Sequence, residues 1–582
     1  MQLSKFGVGQ ALRRIEDESL IRGQGGFLPN VVPNGALRMS LVRSPHARAK
    51  FRIGDLADVR AMPGVYDVLT SREVAHLAPL PCHAEVKNKD GTSIGLALRP
   101  VLPRNTVQHV GQVIAAVVAE SEHAGRDAAD ALPIEWEPLP AVVTMEASLA
   151  ADAPLLHSHL RSNQVYETQI GDVAATDNIF RQASKVVRIE LINQRVVANF
   201  LETRGAMGTW DPATQRYTLT VGCQGVHAVR RDLCDHVFKI PHTNMRVICR
   251  DVGGGFGTKI SAYPEYALAL VAAQRCGLSV AWIGDRTEHF TGDSQGRDHI
   301  STGEMALDAD AYILALRIDT TPNVGAFAAH HGPATPSFAA RILSGSYRIP
   351  SIAVTLRTAY TNTLPVDAYR GAGRPEAAYL IERLMDAAAL EVGLAPEKFR
   401  AKNFIGSRDM PYRTATGCTY DSGDFEGHMR RALQVACHGF FSQRRKISNR
   451  AGKLRGLGFA TYIEFCALGA EDAETRLEHD GRMVVGRSLL HPGMVSKPHK
   501  HVYEQIFMIL EGRVTLHIED QVIDCPAGTV IRIPPNAMHW AEGPKEGVAV
   551  NLDVWTPYRE DYGEHTGYQT DVFDTPQKIA AA

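Results

Sequence analysis

The chain is 582 residues long, 45% apolar and 22% charged. Those proportions describe packed globular protein of about four domains and exclude disordered, collagenous and disulfide-scaffold classes. Its 62 Lys and Arg against 64 Asp and Glu give a formal charge of −2, so no global attraction to nucleic acid or an anionic membrane is present.

The N-terminal sequence MQLSKFGVGQALRRIED has no apolar core of a secretory signal, and no apolar run reaches the ~18 residues of a membrane span. The nine cysteines include no CxxC pair. That excludes a structural zinc knuckle or an iron–sulfur cluster held by this chain alone, and predicts reduced thiols in a cytoplasmic protein.

In chain order, residues 37–42 (LRMSLV) alternate as a half-buried strand, and 111–119 (GQVIAAVVA) read as a buried one. Ser121 is positioned to cap a helix over EHAGRDAADAL, and PIEWEPL returns as a strand. From about 165 to 445 the alternation continues, with strands predicted at 216–222 and 245–252. One helix is predicted over 262–275, ended by Gly277. A second follows Pro375, with Ala377, Leu380, Ile381, Leu384 and Ala388 on one face and Gly393 past its end. Beyond about Gly486 only short strands punctuated by Gly and Pro remain, the pattern of a small β-sandwich or barrel. The domain boundary is predicted at 475–485, and the tail after about 570 is predicted to fray.

Two loops carry chemistry. DVGGGFGTK (251–259) follows a strand, and its glycines permit close backbone approach to a ligand. It fits neither GxGxxG nor GxxxxGK[ST], because Thr258 occupies the glycine position of both, and a simple tight turn is an equal reading. DAYRGAGRPE (367–376) sets Arg370 and Arg374 around Gly371 and Gly373 just before a helix start, which suits an anion, although solvated arginines are an alternative.

Together these loops resemble the large, molybdenum-binding subunit of the xanthine dehydrogenase, aldehyde oxidase and aerobic carbon monoxide dehydrogenase family. The resemblance covers roughly 5–480 and includes VGQALRRIEDESLIRGQGGF, LVRSPHARAK, VGQVIAAVVAES, FLETRGAMGTWD, GRDH and TNTLPVDAYRGAGRPEA. It implies an α+β multidomain chain. An α/β hammerhead-type domain (1–150) is followed by a first molybdopterin-binding α/β domain (165–445), the start of a second cofactor domain (446–480) and an all-β cupin barrel (483–570). By the same resemblance Gln224 matches the glutamine that approaches the molybdenum. Gly254, Gly255, Phe256 and Gly257 match the glycine loop, and Arg370 matches the arginine on the substrate side. Gly371 stands where carbon monoxide dehydrogenases have cysteine, so an aldehyde or N-heterocycle is the expected substrate class. Flavin and iron–sulfur subunits and a homodimer mate are the implied partners.

The family's second cofactor domain and its late general-base glutamate are not recognised in the sequence. Glu202 and Glu376 lie in matched stretches, but nothing in the sequence gives either the role of base. This half is therefore expected to be catalytically weak by itself, since hydroxylation needs an enclosed cofactor and a base within reach.

GMVSKPHKHVYEQIFMILEG (493–512) spaces His499, His501 and Gln505 on one face of a strand, and His539 follows in GTVIRIPPNAMHW. Three imidazoles and an amide oxygen suit a divalent first-row metal: Mn, Fe, Ni or Zn. The stretch resembles the two cupin motifs, with Gln505 where many cupins carry glutamate. A neutral ligand there predicts one more net positive charge at the metal. The adjacent Glu504 points the other way in a straight strand, and Tyr503, Phe507 and Trp540 are expected to pack the barrel. The HxHxxEQ form resembles small bacterial cupins linked to uronate breakdown. Three readings follow: a molybdenum-hydroxylase-type oxidoreductase subunit, a metal-dependent cupin enzyme or binding module for a sugar-acid-like molecule, and a non-catalytic fusion or gene-model artefact.

Overall fold

The computed structural model describes residues 13–464, 478–479, 484–496, 498–501 and 504–556. The chain divides into two compact units, Met1–Glu464 and Phe465–Ala582. The division falls about ten residues before the predicted 475–485 boundary. Residues 465–477, about a third of the predicted 446–480 segment, and the predicted frayed tail lie outside the described residues.

Among the described residues the first unit holds four sheets, of seven, five, three and two strands, and the three-stranded one includes the predicted strand Ile134–Pro138. The largest has seven strands in the order Met245–Ile248, Arg216–Val221, Gly205–Asp211, Val280–Ile283, Leu37–Arg43, Val113–Ala119 and Val65–Leu69. The strand next to its last edge is legible in composition, because Val113–Ala119 is an unbroken apolar run and all seven residues are buried. Against this sheet lies the helix Pro264–Cys276, buried over Pro264–Ala273 and closed by Gly277 in the left-handed region at φ 66°. Ser121 caps Glu122–Asp130 by accepting from Ala124 N at 3.2 Å. The predicted strand at 245–252 stops at Ile248, because the chain then turns into the glycine loop.

The second sheet has five strands in the order Gln164–Ile170, Ser351–Tyr360, Ile313–Gly325, His299–Leu307 and Lys185–Asn193. Helix Arg374–Glu391 packs against it, with Pro375 in its first turn and Ala377, Leu380, Ile381, Leu384 and Ala388 buried as their spacing predicts. After helix Phe441–Arg450 there is no helix or strand through residue 464.

The second unit holds two antiparallel sheets. One runs Glu478–His479, Val484–Leu490, Ala549–Thr556, Glu504–Glu511 and Val530–Ile533; the other runs Gln521–Pro526, Arg513–Ile518 and His539–Glu542. Phe507, Ile509, Val514, Leu516, Cys525 and Ile533 form its core. Phe507 packs the barrel as expected. Trp540 is only half-buried and stacks on His517 at 4.4 Å, so it covers the sheet rather than filling the core. Tyr503 lies outside the described residues.

Candidate functional site

Glu202 organises the glycine loop. Its Oε2 accepts from Gly253 N at 2.8 Å and from Lys259 Nζ at 3.0 Å, and its Oε1 accepts from Leu28 N at 3.1 Å. Lys259 is fully buried, donates also to Glu202 O at 2.8 Å and stands 4.5 Å over the Phe200 ring. Burial lowers its pKa and the Glu202 charge works against that fall. The loop lysine is thus a staple for the loop rather than a ligand for phosphate. Glu202 thus has a structural partner at each oxygen.

Sequence-distant residues meet on this loop. Gln224 takes its place through its backbone N–H, which donates to Lys259 O at 2.9 Å, while its Oε1 accepts from Gly257 N at 2.8 Å. Gly254, Phe256 and Gly257 all have positive φ, and buried Gly255 lies against Gln224, where a Cβ would stand 2.5 Å from Oε1. Arg370 N donates to Phe256 O at 2.8 Å, and the Arg370 guanidinium lies 5.7 Å from the Phe256 ring. Gln224, Phe256 and Arg370 are all exposed, so the predicted residues present one aromatic and one cationic group beside an amide. That donor set, on a backbone too close-set for side chains, fits a flat anionic group such as a pterin phosphate.

Gly257 has φ 101°, and a Cβ there would meet Ala368 O at 2.4 Å. Gly257→Ala is expected to destabilise the unit by about 1–3 kcal/mol and to part the two loops. A lowered denaturation midpoint with reduced cofactor retention checks this, and an unchanged midpoint counts against it.

Sequence reading missed the support behind Arg370. Arg297 donates to Arg370 O at 2.7 Å, to Tyr369 O at 3.0 Å and to Glu376 Oε1 at 3.2 Å. Glu376 is thereby tied to a buried arginine through its Oε1. Arg297 and Asp298 have φ of 67° and 70°, left-handed values that non-glycine residues adopt only when held. The GRDH tetrapeptide was the available signal. Gly371 has φ 92°, and a Cβ would come within 2.6 Å of the Pro375 ring, so a cysteine does not fit this loop as it stands.

In the second unit the four predicted ligands converge. The ring nitrogens of His499, His501 and His539 lie within 4.8 Å of one another. His499 and His539 are paired across a β-bridge, and His501 Nε2 donates to Gln505 Oε1 at 3.0 Å. Glu504 turns outward to Arg532 at 2.8 Å, as strand parity predicts.

The expected extra positive charge needs correction. Gln505 Nε2 donates to Asp553 Oδ1 at 2.6 Å, and Asn551 Nδ2 donates to Asp553 Oδ2 at 2.7 Å, all three residues being buried. A carboxylate only accepts, so Asp553 fixes the Gln505 amide with its oxygen toward the imidazoles. It also returns a negative charge directly behind the neutral ligand. The missed signal was the inward parity of Asn551 and Asp553 on Ala549–Thr556.

Comparison with known proteins agrees with this architecture. Residues 23–140 match the model of the aldehyde oxidase and xanthine dehydrogenase a/b hammerhead domain, 156–404 the molybdopterin cofactor-binding domain, and 486–555 the cupin domain. The chain belongs to the molybdopterin-binding large-subunit family of xanthine and carbon monoxide dehydrogenases, and it carries a cupin domain in addition.

One relative is the gamma subunit of the 6-hydroxypseudooxynicotine dehydrogenase complex of Paenarthrobacter nicotinovorans, 30% identical over 90% of this chain and 66% of its own. Another is the carbon monoxide dehydrogenase large chain of Hydrogenophaga pseudoflava, 30% identical over 89% and 66%. The chain thus spans just under two thirds of the length of these relatives. Among solved structures, quinoline 2-oxidoreductase from Pseudomonas putida 86 aligns with a TM-score of 0.71 at 27% identity, over 86% of this chain and 61% of that one. A Cu,Mo-CO dehydrogenase aligns at 0.70 and 26%, over 90% and 63%. No described helix is long and apolar enough to cross a membrane.

Proposed function

We propose that the first unit is the cofactor-holding part of a molybdenum-hydroxylase-type large subunit. Convergence of Gln224, the 254–257 glycine loop and Arg370 on one exposed ledge carries this reading. The cofactor, when bound, supplies two-electron oxidation with water as the oxygen source. The chain's own residues bind and orient. The close-set glycine backbone admits the cofactor, the Gln224 amide faces it, and Arg370, held by Arg297, draws an electron-rich substrate group.

The substrate class is an aldehyde or N-heterocycle. Carbon monoxide is disfavoured because Gly371 leaves no space for the cysteine at that position. Flavin and iron–sulfur subunits and a second copy are the proposed partners. We place the protein in the cytoplasm, a reading supported by eight described cysteines that are all free. Domain limits of 1–150, 165–445, 446–480 and 483–570 accompany it. Molybdenum analysis of the purified chain, alone and co-expressed with partner subunits, tests the reading: bound molybdenum is expected, and none in either preparation overturns it.

The cupin domain is proposed to hold one divalent metal, Mn, Fe, Ni or Zn, on His499, His501, His539 and Gln505. Those residues fit, because three imidazoles share one pocket and a buried network turns the amide oxygen toward them. A small sugar-acid-like ligand is the second reading, resting on the resemblance of the HxHxxEQ form to small bacterial cupins linked to uronate breakdown. Asp553→Asn removes the constraint on the Gln505 amide and is expected to weaken metal binding about 10–100-fold. Metal titration of the two proteins measures it, and equal affinities would refute the role given to Asp553.

A further inference from the structure

We propose that His83, Asp232 and His330 form a binding site for one divalent first-row cation, zinc by preference, outside both the glycine-loop ledge and the cupin. One ligand atom from each lies within 4.8 Å of the others. His83 is half-buried, while Asp232 and His330 are buried.

The hydrogen bonding leaves two atoms over. His83 Nε2 donates to Asp232 Oδ1 at 2.9 Å. Asp232 Oδ2 and His330 Nε2 face each other at 3.7 Å, and both are buried with no hydrogen-bond partner. That separation is too long for a hydrogen bond. It is close to the ~3.4 Å between two ligands of a tetrahedral zinc ion. Buried polar atoms are otherwise almost always satisfied, so a facing acceptor and ring nitrogen point to a shared ligand.

The backbone arranges these groups without help from an ion. His83 N donates to His330 O at 2.6 Å, and Cys82 pairs with His330 in a parallel bridge. Asp232 opens the π-helical stretch Asp232–Phe238, which continues the helix Val226–Arg231. Neighbouring charges oppose one another. Arg231 Nε stands 3.7 Å from Asp232 Oδ1, and buried Arg99 lines a small cavity together with Asp232 and His330, while the Asp367 carboxylate acts on His330 with the opposite sign.

His83 belongs to the 23–140 hammerhead segment, and Asp232 and His330 belong to the 156–404 segment. A cation here therefore clips the two segments together, which gives the site a stabilising role.

The test uses the full chain with His499, His501 and His539 all replaced by Ala, so that no cupin metal contributes. After chelation, cobalt(II) titration followed by visible absorption is expected to show one equivalent bound, and zinc(II) is expected to compete for it and raise the melting temperature. Adding Asp232→Asn is expected to weaken binding at least about tenfold. His83→Ala, at the one position of the three that is only partly buried, is expected to do the same without unfolding the unit. Absence of cobalt binding in the cupin-silenced chain, the result for a water bridging the two atoms, overturns the proposal. So does binding that His83→Ala leaves unchanged.

Discussion

Glu265→Gln is expected to destabilise the first unit by about 3–5 kcal/mol at neutral pH, a large share of the ~5–15 kcal/mol that holds a typical domain. Glu265 is wholly buried at the start of helix Pro264–Cys276. Arg204 reaches it at 3.3 Å and Arg43 at 3.2 Å, and Arg204 also donates to Asp293 at 2.7 Å. The Arg204 guanidinium lies 3.6 Å over the Tyr263 ring, so a neutral residue at 265 leaves a desolvated arginine with half of its counter-charge. Arg43 comes from the hammerhead segment, and the cluster therefore joins the two matched segments electrostatically.

The pH dependence carries a definite sign. Burial alone raises the Glu265 pKa, but Arg204, Arg43 and Arg99 together bring it down to about 2, against an ordinary 4.5. A depressed folded-state pKa contributes stability in full above about 4.5, and that contribution is lost as pH falls toward 2. The stability gap between wild type and Glu265→Gln is therefore expected to be widest near neutrality and to close between pH 4.5 and 2. Guanidinium denaturation at stepped pH measures it. A gap that stays constant with pH excludes the charged pair as its cause.

What sequence shows and what it hides follow from the range of the interactions. Val113–Ala119 and the buried face of Arg374–Glu391 were legible because hydrophobic periodicity is local. Cupin ligands were legible because His499, His501 and Gln505 lie within a few residues and strand parity fixes their direction. Glu202 was different. It pairs with Lys259, 57 residues away, and accepts from Leu28, 174 residues away. No spacing rule reaches across such separations. Arg297 behind Arg370 and Asp553 behind Gln505 each left a local trace, GRDH in one case and strand parity in the other, but a supporting role is defined by the contact it makes and not by that trace. His83, Asp232 and His330, drawn from three separate stretches, are the extreme case.

Replacing His499 and His539 together by Ala is expected to reduce metal in the cupin to background, a loss of roughly 3 kcal/mol or more per ligand. The two residues face each other across a β-bridge, with ring centroids 4.4 Å apart, and His501 lies 4.9 Å from His539. Removing both leaves one imidazole and one amide oxygen, too few donors to hold a first-row dication against water. His517→Ala is the matched control. His517 is a histidine of the same barrel, but it stacks on Trp540 and donates to Glu542 at 2.9 Å, away from the three-histidine group. Metal content of the three proteins, measured after equal exposure to each of Mn, Fe, Ni and Zn, decides the matter. Wild type and His517→Ala are expected to carry equal metal and the double variant none beyond what the His83 site retains. If His517→Ala loses as much as the double variant, metal uptake follows barrel stability rather than the ligand set. In that event the coordination assigned to Gln505 and the charge assigned to Asp553 fall with it.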